Sequence, residues 1–439
     1  MIHKTGVEEN SAIMKNLLIL LVISSYLIGQ NIMTPSTMGT AGTIATQSRG
    51  DEVIGWNPAN LGFEDNPDFS MSFGIIPIVP IPAIRLSNSA VSINWFADYL
   101  FSGLYLDDAA KNEMLKVFGD KGWDLNPLLY AKILGISSGN FALTIAAEFN
   151  SSITLPPSII NFVMFGNKFD EQISLDAIDG SAQAVIPFSF SYGFPLEIPN
   201  LDLDFGNNYF GIGMKLLWGV GFGEIDYFEG GLTTYYDRIV GTGSGRVNYS
   251  YDGFGLAFDL GWALKVGDKI TTNLAVQNLF GFIKWKDKNS ESIEFTLDAN
   301  MEVSDDLEEL IDQLDEMTNG DTTYSIKGFT SDYPTYLVVG LEYDIMPQIQ
   351  LYFNYRQYFK EEFQFSTTPR FSIATKMNPA KWFPIRLGIA LGGYEKFQVG
   401  IGFGLHAKHY HFDIGITQTG GVFNSARGVG FSIGQKILF

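Results

Sequence analysis

Large apolar side chains alternate with small or polar ones along most of the chain. In "FGLAFDLGWALKV", which begins at Phe254, every second residue is large and apolar, and the residues between are glycine, alanine, aspartate or lysine. A β-strand projects these two sets to opposite faces. The same alternation occurs at residues 210–218, 397–405 and 429–439. The pattern therefore predicts a protein built mainly of β-strands.

The sizes of the side chains predict what each face contacts. Along each strand, one face carries large apolar side chains and the other carries small or polar ones. In a soluble barrel the large side chains would fill the crowded interior, so this arrangement is the reverse of a soluble barrel. Strands of about ten residues with large apolar side chains on the outside are typical of membrane β-barrels. Only a closed barrel or a helix satisfies its backbone in lipid. With about 14 recognisable strands, and even numbers usual in bacterial barrels, we predict an all-β, transmembrane antiparallel β-barrel over residues 67–439.

The start of the chain has the order of a secretory signal peptide. In "MKNLLILLVISSYLIGQ", Lys15 precedes an apolar run that is followed by small residues. The run is shorter than the roughly 20 residues that span a bilayer. We predict a signal peptide over residues 1–29, with Met14 as an alternative start that would leave 1–13 untranslated. An N-terminal anchor or core helix is the competing interpretation.

The next segment, residues 30–66, is predicted to lie inside the barrel rather than to form a core of its own. It is rich in glycine and alanine and ends near Asn57, Pro58 and Ala59. Small residues allow close backbone packing, Pro58 fixes a bend, and Asn57 can hydrogen-bond a neighbouring turn. A lumen of this size is wider than side chains alone fill. The alternative, a free linker, is disfavoured by the apolar residues Ile54, Trp56 and Leu61.

Composition and charge narrow the possible functions. The chain has 47 Gly, 36 Phe and 20 Tyr, only 17% charged residues and no Cys, so it uses neither disulfides nor a thiol nucleophile. Its formal charge of −20 argues against nucleic-acid binding, which needs clustered cations. We predict no cofactor and no nucleic-acid partner.

The far end of the chain predicts both orientation and insertion. "ARGVGFSIGQKILF" ends on Phe439 and resembles the C-terminal insertion signal through which the barrel-assembly machinery recognises bacterial outer-membrane proteins. If this strand ends in the periplasm, a backward count places short turns there and an acidic extracellular loop at residues 280–334. Helical spacing predicts one short helix after Leu106 and another within residues 304–317. Outer-membrane lipid is the expected surrounding.

Four basic residues lie on predicted inward faces: Lys215, Arg356, Lys376 and Arg386. They could hold the carboxylate of an amphipathic ligand. Alternatively they pair with the inward acids Asp259, Glu342 and Asp413 and brace the barrel.

Catalytic and metal motifs are weak. "GFSIG" at residues 430–434 matches a serine nucleophile elbow, but too few residues follow it to supply the acid and histidine. His409 and His411 share a predicted inward face with Asp413, and His406 lies across the same turn, which suggests a metal site, yet histidines at such a turn are more often plain polar lumen residues. A calcium-loop spacing that begins at Asp298 has Val303 where glycine is needed. We predict a protein that is not an enzyme and has no metal site.

The stretch "GTAGTIATQSRGDEVIGWNPANLG" resembles the N-terminal segment of the FadL-like superfamily of long-chain fatty-acid outer-membrane transporters. This resemblance implies a fourteen-stranded barrel with a small hatch over residues 30–66, to which Asn57, Pro58 and Ala59 belong. "LAVQNLFGFIKW", with Asn278 and Leu279, and the region 386–416 are more similar to the PorV-type branch, which serves protein secretion. The expected function is hatch-gated passive transport of small hydrophobic or amphipathic molecules across the bacterial outer membrane. A secretion or interaction platform is the alternative.

Overall fold

The computed structural model describes residues 32–73, 82–100, 107–166, 169–196, 206–236, 238–302, 322–361, 363 and 365–439. The predicted signal peptide and the predicted helix within residues 304–317 lie outside these ranges. So does most of the proposed calcium-loop spacing.

Strands make up most of the described chain, and all of them belong to one sheet. The first nine are β1 (Phe69–Phe73), β2 (Ala83–Asn88), β3 (Trp123–Ser138), β4 (Phe141–Leu155), β5 (Gln172–Ser174), β6 (Asp179–Pro195), β7 (Asn207–Thr234), β8 (Arg238–Val266) and β9 (Ile270–Lys284). The others are β10 (Ser290–Glu302), β11 (Thr322–Ser325), β12 (Thr330–Asp332), β13 (Tyr336–Met346), β14 (Ile349–Tyr358), β15 (Arg370–Ala380), β16 (Phe383–Gly392), β17 (Phe397–His406), β18 (Tyr410–Thr419) and β19 (Gly428–Leu438).

The sheet closes on itself as an antiparallel barrel of 14 strands. β1 and β2 share the first position, because both pair with β3 on one side and with β19 on the other. The other 13 positions are β3, β4, β6 to β9 and β13 to β19. The all-β barrel of about fourteen strands predicted from the alternation is therefore confirmed.

The predicted faces are also those observed. In β7, Ile212 and Trp218 are exposed on the outer surface, whereas Gly211 and Lys215 are buried on the lumen side. β17 repeats this arrangement, with Phe403 and Leu405 outside. The apolar outer surface is suited to contact with lipid, and the closed wall leaves no strand edge unpaired. This is the architecture of an outer-membrane protein.

The two ends of the barrel differ in their connections. Five hairpins at the end that carries the C-terminus are joined by two or three residues, as between β17 and β18. The longest connection, from Lys284 to Tyr336, is at the opposite end, whereas the C-terminal end has one longer connection, the eleven residues between β6 and β7. Because periplasmic turns are short in this class, the C-terminal end is the periplasmic end.

An outer sheet extends from the barrel at the extracellular end. β13 to β19 have ten or eleven residues each, which is enough to cross a bilayer, whereas β7 and β8 have 28 and 29. β5 pairs with the extracellular part of β7, and β10 pairs with the extracellular part of β8. β11 pairs in turn with β10. The alternation at residues 210–218 marked only the membrane part of this hairpin, since the outer part is polar and glycine-rich.

Four α-helices accompany the described strands: α1 (Pro35–Gly39), α2 (Ile93–Trp95), α3 (Asp108–Leu115) and α4 (Pro157–Phe165). α3 is the helix predicted after Leu106, and the Asp107 carboxylate caps it by accepting from the Ala110 N–H. Within the described ranges, no helix is both long enough and apolar enough to cross a membrane.

Candidate functional site

The N-terminal segment, defined here as residues 32–66, packs against the lumen side of the wall. It begins with α1, whose first turn is capped by Thr34 and started by Pro35. Threonine hydroxyls then bond to the segment's own carbonyls, as in Thr40 Oγ1 to Ser36 O at 2.6 Å. The Asn60 amide donates to Ala45 O at 2.7 Å and to Ser48 Oγ at 2.9 Å. Because the segment has no strand and only short helices, these bonds satisfy backbone carbonyls that regular secondary structure would otherwise pair.

Glycines on the wall allow the segment to approach closely. A Cβ added to Gly400 or Gly388 would overlap the backbone of Met38 or Thr40, and one added to Gly211 would overlap that of Pro58 and Ala59. The same holds for Gly193 and Gly415. The small inward residues of the alternation are therefore small because a second layer of backbone lies against them.

Asn57, Pro58 and Ala59 form one of these contacts. The Asn57 amide donates to Trp262 O at 3.0 Å, while its oxygen accepts from the Ala59 N–H at 3.0 Å. Asn57 thus caps a short 3₁₀ helix that begins at Pro58 and ends at Gly62. The motif joins a turn of the segment to the backbone of β8.

Apolar side chains anchor the segment to several parts of the wall. Trp56 packs in a cluster with Ile44, Tyr336, Val338 and Tyr358. A second cluster joins Val53, Ile54 and Leu61 to Ala142, and a third joins Ala59 and Phe63 to Tyr209 and Ala263.

Asp51 makes a buried, charged contact between the segment and the wall. Its carboxylate, which is fully buried, accepts from Lys132 Nζ at 2.7 Å and from Ser72 Oγ at 2.5 Å, and Lys436 Nζ lies 3.6 Å away. Burial alone would raise the pKa of Asp51, but the charges of Lys132 and Lys436 outweigh it and hold this pKa well below its ordinary value. The aspartate is therefore ionised at neutral pH and ties β1, β3 and β19 to the segment.

A cavity of about 350 Å³ lies between the segment and the periplasmic end of the wall. Its lining combines apolar surface with many charged residues, namely Arg49, Glu52, Lys132, Lys376, Arg386, His406, His411, Asp413 and Lys436. Most of these charges are paired, as in Arg386 Nη1 to Asp413 Oδ1 at 2.7 Å. The cavity has the size of a small-molecule site.

The four basic residues singled out in the sequence fall in three places. Lys215 Nζ donates to Asp259 Oδ1 at 2.9 Å and to Asn278 Oδ1 at 2.5 Å. Lys376 and Arg386 are cross-strand partners on β15 and β16 and line the periplasmic cavity. Arg356 lies elsewhere in the lumen, beside Arg85 and Arg370.

Several residues of this arrangement were not found from the sequence. Asp51, Arg85 and Arg370 are all buried inside the barrel. Arg85 and Arg370 occupy inward positions of alternating strands, which is a signal that a search for charged inward residues would detect. Asp51 lies outside any strand, so no period in the sequence marks it.

The histidines and the C-terminal residue lie at the periplasmic rim. The rings of His406 and His411 stack at 3.7 Å, and His406 Nε2 lies 3.1 Å from Asp413 Oδ1. His409 bonds to Leu438 O and stacks on Phe439, so it does not share the inward face expected for it. No group of three or more metal-ligating side chains occurs among the residues that the structure describes. Phe439 pairs its backbone with Phe69, and its predicted role in insertion stays a prediction.

Comparisons with known proteins agree with this geometry. A model described as a family of unknown function (DUF5723) matches residues 244–416. No curated protein matches the sequence. The CymD monoaromatic hydrocarbon channel superposes with a TM-score of 0.51 at 11% identity, covering 94% of this chain and 98% of that one.

Two further solved structures share the architecture. A Pseudomonas aeruginosa FadL homologue gives a TM-score of 0.50 at 11% identity, with 94% and 100% of the two chains covered. The Pseudomonas putida toluene transporter TodX gives 0.50 at 11% identity, with 94% and 98% covered. This chain has the FadL-type fold. The resemblance to the PorV-type branch stays a prediction.

Proposed function

We propose that this FadL-type barrel passively transports small hydrophobic or amphipathic molecules across the outer membrane, and that residues 32–66 are its hatch. The observation that carries the proposal is the position of the N-terminal segment, which lies across the lumen side of a closed wall and contacts strands on opposite sides. The backbone of Thr40 adjoins Gly388 of β16, while that of Ala59 adjoins Gly211 of β7. Passage of a ligand therefore requires part of this segment to move.

The chemistry of the interior supports this class of ligand. The lumen combines apolar clusters around Trp56 with a charged cavity at the periplasmic end. Three structures of the same fold are described as a monoaromatic hydrocarbon channel, a toluene transporter and a FadL homologue. An open water-filled pore would not need a buried segment fixed by side chains on so many strands. Asn57, Pro58 and Ala59 are the proposed hatch motif, and Lys215, Arg356, Lys376 and Arg386 are the proposed polar contacts for ligands.

A reversible crosslink tests the hatch. The chain has no Cys, so Thr46→Cys with Gly340→Cys creates a single pair. A Cβ on Gly340 would lie 3.1 Å from Thr46 Cγ2, close to the separation of a Cβ from the distal sulfur in a disulfide. Uptake of labelled toluene by intact Gram-negative cells should fall at least about tenfold in the oxidised double variant, and a reductant should restore it.

Each single-cysteine variant under the same oxidation is the control, because it adds the side chain without the bond. Equal uptake by the oxidised and reduced double variant, with the disulfide shown by mass spectrometry, would refute the hatch. Loss of uptake in both forms would instead report damage to the barrel, which the single variants identify.

A secretion or interaction platform is the second candidate, and the outer sheet of β5, β7, β8, β10 and β11 is the feature that favours it. A specific protein that co-purifies with the barrel and is lost when this sheet is shortened would support the platform. A co-purifying lipid-like molecule would support transport.

A further inference from the structure

Lysines are concentrated at one place on the extracellular rim of the barrel. The stretch "KWKDK", residues 284–288, has three lysines in five positions, although the whole chain has only 28 Lys and Arg against 48 Asp and Glu. The chain passes this stretch again at Ile326, whose N–H donates to Ser290 O at 3.0 Å, and this places Lys327 beside it. All four side chains are exposed. We define the lysine cluster as Lys284, Lys286, Lys288 and Lys327.

The lysine cluster begins where the lipid-facing part of the wall ends. On β9 the outward side chains Phe280 and Phe282 are apolar and exposed, and the next outward position is Lys284. Phe254 of β8 is the cross-strand partner of Lys284, and Trp218 of β7 is the partner of Phe254. Exposed aromatic side chains at the edge of an apolar band mark the level of the lipid headgroups. The lysines therefore lie at the headgroups of the outer leaflet.

The protein neutralises only part of this charge. Lys286 Nζ pairs with Asp252 Oδ2 at 2.9 Å, where both side chains are about half exposed. Among the residues that the structure describes, the other three lysines have no acid within ion-pair distance. Four lysines against the adjoining acids Asp252 and Asp287 leave the surface positive, in a chain whose net charge is −20. An anion from outside the chain is therefore the partner that this surface fits.

We propose that the lysine cluster binds the phosphate groups of lipid A, the phosphorylated glycolipid of the outer leaflet. Ammonium groups bind phosphate as compact point charges. Basic residues just outside a membrane-spanning segment attract anionic headgroups, and this attraction acts only over a short distance in salt. Phe254 and Phe282 lie directly below the lysines, where they contact the acyl chains of the same lipid. The inference concerns the lipid around the barrel, so it does not depend on the proposed transport or hatch.

Binding of three probes to the full-length protein in an uncharged detergent tests this surface. Diphosphoryl lipid A carries phosphates and acyl chains, dephosphorylated lipid A carries the chains alone, and inorganic phosphate carries the anion alone. Tryptophan fluorescence follows the titrations, because Trp218 is exposed beside the cluster. Diphosphoryl lipid A should bind at least about tenfold more tightly than the dephosphorylated lipid, and this preference should fall as salt is added.

Two triple variants locate the binding. The test variant replaces the three lysines of the cluster that have no ion pair: Lys284→Gln, Lys288→Gln and Lys327→Gln. It should lose the preference for diphosphoryl lipid A. The matched control makes the same change of charge at exposed lysines in other extracellular connections: Lys116→Gln, Lys121→Gln and Lys396→Gln. It should keep the preference.

Equal binding of the two lipids to the unchanged protein would overturn the proposal. So would a preference that the test variant keeps, or one that both triple variants lose equally, since the latter reports total charge. Inorganic phosphate that displaces the lipid at an equal concentration would indicate a site for free phosphate instead. A preference that appears only after deletion of residues 303–321 would show that the chain's own acids occupy the lysines.

Folding of each variant is checked by the heat-dependent mobility of the barrel on a gel. All the replaced side chains are exposed, so both triple variants should fold. If the test variant does not fold, its three single variants replace it. The proposal then requires that at least one of them weakens the preference, and it is refuted if none does.

Discussion

The wall holds the N-terminal segment in two different ways. Along β6, β7 and β16 to β18, glycines let backbone lie against backbone, as where Gly400 faces Met38. At the seam of β1, β3 and β19, the contact is electrostatic, since Asp51 is held by Lys132, Lys436 and two serines. The first kind depends on shape and the second on charge.

This difference indicates where the segment can be released. Glycine contacts are lost only if backbone moves, and many of them must separate together. The Asp51 contact concentrates two cations on one carboxylate, so a change of one charge weakens it at once. It also lies beside the large periplasmic cavity, which Lys132 and Lys436 line. We therefore expect release of the segment to begin at Asp51.

The largest effect is expected for Asp51→Asn. The substitution leaves Lys132 and Lys436 in the lumen without their carboxylate, at a cost of about 3 kcal/mol. The rate of tryptic cleavage after Arg49 should rise about 100-fold if release of the segment limits cleavage.

Asp65→Asn is the matched change for this measurement. Asp65 pairs with Arg49 at 3.0 Å in the same segment, but its side chain is 58% exposed. An exposed pair contributes less than about 1 kcal/mol, so cleavage should change only a few fold. Similar cleavage of the two variants would remove the distinction between a buried charge contact and a surface one.

A smaller effect is expected at a glycine contact. Gly211→Ala places a methyl group against the backbone of Pro58 and Ala59, which should cost about 2 kcal/mol in the free energy of unfolding. Gly223→Ala on the same strand is the control, because a Cβ there meets nothing within 4 Å. Denaturant unfolding followed by tryptophan fluorescence measures both. Equal stability of the two variants would show that the segment does not press on β7.

The smallest effect is expected from pH. Because the pKa of Asp51 is lowered in the folded protein, its contribution is complete above about pH 4 and is lost as the pH falls through the lowered value. Amide exchange of residues 44–56, corrected for intrinsic rates, should stay slow from pH 7 to pH 4 and rise below that. Asp51→Asn should lack this acid response. A rise in exchange between pH 5 and pH 7 would assign the release to another group.

The barrel itself could be predicted because one physical rule acts on every strand. Lipid outside and small or polar groups inside impose a period of two, which is visible at Phe254 and at Phe397. The proposal that Asn57 belongs to a hatch came from a resemblance to a family. The reason for the small inward residues was missed, because a glycine next to lumen water and a glycine next to another backbone look the same in a sequence.

The polar sites were predictable only in part. Inward cations were recognised at Lys215 and Arg386, whose partners Asp259 and Asp413 lie two strands or less away. Arg85, Arg356 and Arg370 come together from β2, β14 and β15. No local spacing in the sequence indicates that Arg85 reaches across the lumen. The outer part of β7 and β8 lacks the membrane pattern because lipid does not surround it.

The most direct test of the central claim is the distance between the N-terminal segment and the wall in solution. Two spin labels on the cysteine-free chain, at Gln47 beside the periplasmic cavity and at Lys408 in an exposed turn, report it by pulsed electron resonance. A single narrow distance distribution at pH 7 that broadens in Asp51→Asn is the predicted result. A broad distribution in the otherwise unchanged protein would contradict a segment docked inside the barrel.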